Sequence, residues 1–312
     1  MIATLTGLAI AFLLDICLGD PPNYAHPVVA MGSLIRFFTA KFNTGSDRCR
    51  FWSGTLLIIS GVLLFSLPFI FLQWYMAAAP VWVQSIIMGI FLKVTFSFRR
   101  LLTVANQIRT EINKPDLIEA RRLTAWHLVS RDTSQLSRGH IISAVIESLS
   151  ENLTDSLLAP LLFFAVGGLP LAWAYRFVNT ADAMIGYRNE EFEFFGKTAA
   201  RLDDALNWIP ARIAGLLLVV SARLTGLNAG NAYNTMKDQH TQTASPNAGW
   251  TMSAAAGALG VILEKHGNYR LSGGSSLPVE LDIHRSIRLV STAMVLSLFL
   301  CGGIILAIQS LS

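Results

Sequence analysis

Long apolar runs separated by polar segments dominate this chain. The first covers about Ile2 to Leu18 and is just long enough to cross a bilayer. The second, about Phe51 to Met76, is nearly uncharged, and a short turn at "AAAPVW" joins it to a third, about Val81 to Phe98. The third run ends in Arg99-Arg100 and carries Lys93 near that end, within reach of the interface by snorkelling. Residues 99–140 are polar and amphipathic, with a helix starting at Pro115 and Asp116 in "KPDLIEARRLTAWHLV". A run near 157–175 is interrupted by Pro160, Gly167, Gly168 and Pro170, which predicts a spanning, broken or re-entrant helix. Another covers about Trp208 to Leu224. The small-residue stretch "GWTMSAAAGALGVIL" suits close helix packing, and a last run covers about Ile287 to Ile308.

This pattern predicts an all-α, polytopic integral membrane protein. We expect one membrane-embedded helical domain over 1–312, with about four to six spans, broken or re-entrant helices, and a cytoplasmic amphipathic helical segment near 99–140. Runs two and three form a hairpin with basic residues at both free ends. By the positive-inside rule those ends are cytoplasmic, and so is the loop from Gly19 to Arg50. The first run lacks a basic leader region and a small-residue cleavage site, so it reads as a retained helix.

Composition strengthens this picture. Hydrophobic residues make up 53% of the 312 and charged residues 14%, against roughly 25% charged in a soluble domain. The net charge of +4 is mild. No Lys/Arg cluster with interleaved aromatics suggests a nucleic-acid partner. The three cysteines show no metal or disulfide spacing. No Walker A, G-x-G-x-x-G, H-E-x-x-H or G-x-S-x-G sequence occurs.

Polar groups inside so oily a chain carry the chemistry. "ESLSENLTDS" places Glu147, Glu151 and Asp155 in one row of a helix, four residues apart, with Asn152 at its edge. Like charges at this spacing repel, so the row needs a positive partner. A carboxylate face suits Mg²⁺, a hard cation that takes oxygen ligands and bridges to phosphate. The stretch 179–212 holds Asp182, Arg188, Lys197, Arg201, Asp203, Asp204, Asn207 and Arg212. Asp203 and Asn207 fall one turn apart on a helix that Pro210 is expected to kink or end. Its carboxylates would hold a metal and its arginines would fork onto phosphate or carboxylate oxygens. In "GDPPNYAHPVVAMG" the polar handles are Asp20 and His26, though a lone histidine is more often structural. "SPNAGW" forms a tight turn whose N–H groups could cradle an anion.

These stretches, with "SRDTSQLS" and the long "YRFVNTADAMIGYRNEEFEFFGKTAARLDDALNWIPARI", resemble the CbiB/CobD family of cobalamin biosynthesis, the adenosylcobinamide-phosphate synthases. The resemblance spans most of the chain. It implies an inner-membrane enzyme with its active site facing the cytoplasm. The enzyme would join the side-chain carboxylate of adenosylcobyric acid to aminopropanol phosphate, or a related amino alcohol, in an ATP-dependent amide bond. ATP and Mg²⁺ are the implied cofactors. The partners are the corrinoid and amino-alcohol phosphate substrates, membrane lipid, and other late cobalamin-pathway membrane enzymes.

By the same resemblance Glu147, Glu151, Asp155, Asp182, Asp203 and Asp204 serve metal or general-base roles, with Glu151, Asp155 and Asp203 on Mg²⁺. Arg131, Arg188, Arg201 and Arg212 hold phosphate or corrin groups. Asn152, Asn179, Asn207 and Asn247 orient substrate, and Asp20, His26 and Asp132 join the substrate-binding set. One departure is that Thr251-Met252 stands where many members have Pro-Glu after "SPNAGW". A non-catalytic sensor of the same broad family would not need both acidic stretches. A cation-coupled transporter would spread its charges along several spans.

Overall fold

The computed structural model describes residues 2–129 and 132–311, so Arg131 lies outside the described residues. The helices are α1 (Ile2–Leu18), α2 (Pro27–Phe42), α3 (Asp47–Met76), α4 (Val81–Lys93), α5 (Arg99–Glu111), α6 (Ile118–His127) and α7 (Arg138–Leu153). A π-helical turn, Thr154–Leu158, leads from α7 into α8 (Ala159–Ile185). Then come α9 (Lys197–Leu206), α10 (Trp208–Leu224), α11 (Ala229–Gln239) and α12 (Ala248–Leu259). A hairpin of β1 (Ile262–Lys265) and β2 (Tyr269–Ser272) precedes the last helix, α13 (Glu280–Ser310). The protein is an all-α membrane protein, and this short hairpin is the departure from helix that the sequence analysis missed.

Among the described residues, three helical stretches are long and apolar enough to cross a membrane: Asp47–Met76, Arg138–Ile185 and Glu280–Ser310. Counting Lys197–Leu206 with Trp208–Leu224 as one broken span makes four. Helices α1 and α4, with 17 and 13 residues, reach only about 26 and 20 Å at 1.5 Å per residue. The hydrocarbon core is about 30 Å thick, so the first and third apolar runs are shorter elements than the full spans expected of them. The 157–175 run is a broken helix. Gly167 and Gly168 leave helical geometry inside α8, and Gly168 has φ +67°, a conformation that a side chain would strain.

The chain divides into two compact units. Unit 1 comprises Met1–Ser97, Ala159–Leu206 and Leu300–Ser312. In it α1 packs on α4 through small residues. A Cβ on Gly7 would sit 2.9 Å from Met88 Cβ, and one on Gly89 would sit 2.5 Å from Ile10 Cγ2. Such contact is how helices gain dispersion energy where lipid removes the hydrophobic driving force. Helix α3 starts at a Ser46 cap that accepts from Cys49 N. It presents Leu56, Ile59, Leu63, Leu67 and Phe71 outward, with Trp52 toward one end and Trp74 and Tyr75 at the other. Exposed apolar side chains with terminal aromatics are the signature of a lipid-facing helix.

Unit 2 comprises Phe98–Leu158 and Asn207–Phe299. Its centre is α12, buried from Thr251 to Leu259 and packed against α7, α10 and α11. Thr251 and Met252 are 0% and 2% exposed. Met252 fills core space where a carboxylate would need a partner. The hairpin rests on α7, with Leu263 and Leu271 paired across the strands and fully buried.

Candidate active site

In unit 1, the loop 186–196 and α9 line a pocket of about 300 Å³. Arg188, Lys197 and Arg201 line it, facing Glu193 and Asp204, with Tyr187 and Phe192 as apolar wall. Three cations against two carboxylates leave a net positive site. A volume at the low end of the ligand-pocket range suits a small anionic molecule.

The loop is held by long-range hydrogen bonds. Arg50 donates from Nη2 to the Glu190 carbonyl at 2.9 Å and also to the Glu191 carbonyl. Asn43 Nδ2 reaches the Glu191 carbonyl at 2.9 Å, and Arg50 Nε is fixed on Asn43 Oδ1 at 2.9 Å. Within the loop, Asn189 Oδ1 accepts from Phe192 N at 2.8 Å. The hydroxyls of Thr55 and Thr198 meet at 2.7 Å and tie α9 to α3. Phe195 is fully buried beneath. Rigid support of this kind pre-organises charged side chains for a ligand.

Behind the pocket, Asp203 is buried and accepts from Asn179 Nδ2 at 3.2 Å, and Arg176 Nη1 reaches Asn179 Oδ1 at 3.5 Å. Asp182, on α8, comes so close to Gly186 that a Cβ there would lie 2.0 Å from Asp182 Oδ1. Unit 1 thus gathers Asn179, Asp182, Arg188, Arg201, Asp203 and Asp204 on two helices and one loop. The sequence reading named all six, and also pointed to Lys197. It missed Tyr187, Glu193 and the Arg50 clamp. The carboxylates of Asp182, Asp203 and Asp204 are hard oxygen donors of the kind Mg²⁺ takes, and the cations beside them suit phosphate, so the residues fit the implied group.

Asp20 and His26 have other partners. Lys93 makes ion pairs of 2.9 Å with Asp15 and 2.8 Å with Asp20, and Ser97 donates to Asp20 at 2.5 Å. Partial burial works to raise the Asp20 pKa, but the hydrogen bonds from Lys93 and Ser97 outweigh it and hold the carboxyl below its ordinary range. Lys93 does not snorkel; it is 4% exposed. The reason is local, since the buried Asp15 and the partly buried Asp20 offer it more than the interface would. His26 caps α2 by accepting from Val28 N at 3.2 Å.

In unit 2 the acidic row is not uniform. Glu147 is 6% exposed and accepts from Ser143 Oγ at 2.5 Å and Tyr269 OH at 2.7 Å. Glu151 and Asn152 are half-buried on the last turn of α7. Asp155 falls inside the π-helical turn, where an extra residue per turn breaks the strict four-residue row expected from an α-helix. Asn152 donates to the Ser148 carbonyl at 2.9 Å and accepts from Ser156 Oγ at 2.7 Å. The helix carrying Asp203 ends at Leu206, ahead of the buried Asn207, and Pro210 falls in the first turn of α10 rather than ending α9.

Arg212 lies between two indoles, its guanidinium carbon 4.2 Å from the Trp208 ring centroid and 4.9 Å from Trp250. It donates to the Trp208 carbonyl at 2.6 Å and to Asn247 Oδ1 at 3.2 Å. In the turn before α12, Ser245 Oγ accepts from the N–H groups of Asn247 and Ala248 at 3.2 and 3.4 Å. Asp132 is exposed and accepts from the backbone and hydroxyl of Ser134, both at 2.8 Å, which lower its pKa.

A family model described as CobD/Cbib protein matches residues 8–295. The chain belongs to the CobD/CbiB family. A cobalamin biosynthesis protein CobD of Dehalococcoides mccartyi is 37% identical over 296 residues, covering 95% of this chain and 96% of that protein. A probable cobalamin biosynthesis protein CobD of Methanothermobacter thermautotrophicus is 40% identical, covering 96% and 98%. Another from Pyrococcus furiosus is 39% identical, covering 95% and 99%. No solved structure matches. Against that CobD/CbiB background, the pocket of Arg188, Lys197 and Arg201 and the Glu147–Asp155 stretch are where the chemistry is sought.

Proposed function

We propose that this protein acts in cobalamin biosynthesis as an ATP-dependent amide ligase. It would join adenosylcobyric acid to 1-amino-2-propanol phosphate, or a related amino alcohol, giving adenosylcobinamide phosphate. Membership of the CobD/CbiB family supports the pathway. The observation that carries the site is the rigid, net-positive pocket of about 300 Å³ lined by Arg188, Lys197 and Arg201. It has room for a small phosphorylated alcohol but not for a corrin ring.

In the reaction proposed, a corrinoid carboxylate oxygen bonds to the γ-phosphorus of ATP and ADP leaves. The amine nitrogen then bonds to the acyl carbon, phosphate leaves, and the amine's proton passes to a carboxylate. Arg188, Lys197 and Arg201 bind and orient phosphate oxygens. Asp204 and Glu193, facing them, are placed to receive the proton and to hold the substrate's ammonium before reaction. Asp182 and Asp203 would hold Mg²⁺, with Asn179 fixing the Asp203 carboxylate, and Glu151 and Asp155 are the further Mg²⁺ candidates. The ion supplies charge neutralisation on the transferred phosphoryl group. Arg212, gripped by Trp208 and Trp250, and Asn247 beside it are assigned to corrin amide and carboxylate groups, with Asn152, Asn207 and Asp132 as further substrate contacts.

We place the enzyme in the inner membrane with this site facing the cytoplasm, where ATP and corrinoid are found. Other late-pathway membrane enzymes are its proposed neighbours. The test is an assay in detergent with adenosylcobyric acid, aminopropanol phosphate, ATP and Mg²⁺, read as corrinoid product mass. Product with the wild type and loss of it with Glu151→Gln supports both the ligase and the acidic row. Product with both proteins removes Glu151 from the chemistry. No product from the wild type, beside an active control enzyme and a range of amino alcohols, overturns the ligase reading.

A further inference from the structure

Three ligand-type side chains converge where the first turn of α7 meets the β-hairpin, in a part of unit 2 that the proposed reaction does not use. His140 Nε2 lies 2.8 Å from Glu264 Oε1. His266, in the hairpin turn, places its ring centroid 5.3 Å from that of His140. One ligand atom from each of His140, Glu264 and His266 lies within 4.8 Å of the others. We propose that these three residues bind a divalent first-row transition ion of the Zn²⁺ class, with solvent completing the coordination.

The donor chemistry selects the ion. Two imidazoles and one carboxylate suit zinc and its neighbours, whereas Mg²⁺ and Ca²⁺ take oxygen ligands. The spacing is close to what such an ion needs. Ligand atoms at zinc distances and tetrahedral angles sit about 3.3 Å apart. The His140–Glu264 pair therefore opens by about half an ångström, and the exposed His266 ring swings in to close the set.

Each ligand is oriented by its surroundings. His140 Nδ1 faces Ser137 Oγ at 2.6 Å, leaving Nε2 for the ion. A hydrogen bond of this kind to the other ring nitrogen fixes the tautomer and direction of a ligating imidazole. Glu264 is anchored through its backbone, which donates to Ser143 Oγ at 2.9 Å. Arg270 approaches Oε2 of Glu264 at 3.8 Å, so Oε1 is the oxygen left to ligate. The side chains of His140 and Glu264 are only 20% and 15% exposed, and the exposed His266 gives the ion a way in.

An ion held here pins the hairpin turn to the first turn of α7. The same hairpin carries Tyr269, which holds Glu147 two turns further along that helix. Metal occupancy would thereby stiffen the support of Glu147.

The experiment uses the full chain in detergent, purified on a tag without histidines and stripped of metal. Co²⁺ binding is followed by its visible absorption bands, and Zn²⁺ binding by displacement of Co²⁺. We expect one ion per chain, undisturbed by excess Mg²⁺. His140→Ala, Glu264→Gln and His266→Ala should each weaken binding by at least about tenfold. His266→Ala, at an exposed turn, should leave thermal unfolding of the metal-free protein unchanged, which separates loss of a ligand from loss of fold. Equal affinity in the wild type and all three variants overturns the proposal, as does Zn²⁺ binding only in the millimolar range. Because the readout is metal binding, it stands apart from success or failure of the ligase assay.

Discussion

Tyr269 gives its phenolic hydroxyl to Oε2 of Glu147 at 2.7 Å, while Ser143, one turn earlier on the same helix, gives its own to Oε1 at 2.5 Å. The carboxylate is thus gripped from a strand and from its own helix. Hydrogen bonds to a buried acidic group contribute about 1–3 kcal/mol, and an isosteric replacement loses the bond without opening a cavity. Tyr269→Phe should lower stability by about that amount and slow the proposed ligase reaction. Thermal unfolding in detergent together with the product assay would show it. A variant matching wild type in both would mean the contact is incidental.

Lys93 neutralises Asp15 and Asp20 in an interior where all three are largely shielded. Removing one member of a buried ion pair leaves an uncompensated charge and typically costs about 3–5 kcal/mol. Lys93→Met should destabilise the protein by that order, and pairing it with Asp15→Leu should recover part of the loss. Denaturant unfolding of the single and double variants measures both. An unperturbed Lys93→Met protein would contradict the burial described.

Asp20 also sets an acid limit. Its folded pKa is held below the ordinary value of 3.8, so its contribution is complete above that value. It is lost as pH falls through the lower folded one. The Asp20→Asn protein should be less stable than wild type at neutral pH, and the gap should narrow below about pH 4. Unfolding midpoints measured from pH 7 down to pH 3 would test the sign, and a gap that widens on acidification would refute it.

Arg201 points into the unit 1 pocket from an exposed position and does not hold the fold together. Arg201→Ala should raise KM for the amino-alcohol phosphate at least about tenfold, the loss of one charge-assisted contact. KM for ATP should change less, and thermal stability should stay at the wild-type value. Arg201→Lys should recover part of the loss, since it keeps the charge but not the fork. An unchanged KM for the amino alcohol would move the phosphate elsewhere.

Sidedness is testable at the loop beside that pocket. Asn189 is exposed and next to Arg188. In a background lacking Cys17 and Cys49, which are exposed, Asn189→Cys should resist an impermeant maleimide added to intact cells and react once the cells are opened. Labelling from outside would place the loop on the wrong face for cytoplasmic substrates.

Local pattern made much of this legible. The bounds of α1 and α10 follow their apolar runs, and the Gly167-Gly168 break was visible as paired glycines in an oily segment. The loop and helix around the pocket were legible because carboxylates and arginines so dense are anomalous in a chain with 14% charged residues. What stayed hidden depends on contacts distant in sequence. Lys93 looked like an interfacial lysine because its acids lie in another helix and the loop after it. Arg50 looked like a topology signal, yet it is the clamp on the loop 186–196, about 140 residues away. The hairpin was masked by the apolar run before it. Its signal was the alternation of Leu263 with Glu264 and of Arg270 with Leu271 around Gly267-Asn268. The π-helical turn left no mark that periodicity could read.

The small-residue contact between α1 and α4 and the charges beside it have a consequence for biogenesis. Asp15 leaves the ribosome in a helix too short to be a comfortable span, and its counter-charge is made only after the whole of α3 has followed. Until then the Asp15 carboxylate lacks the Lys93 charge, and lipid is a poor solvent for an acid. The close contact of Gly7 with Gly89 and the Lys93 ion pair can form only once α4 has followed. The α1–α4 corner can therefore be assembled only after α3 has been made.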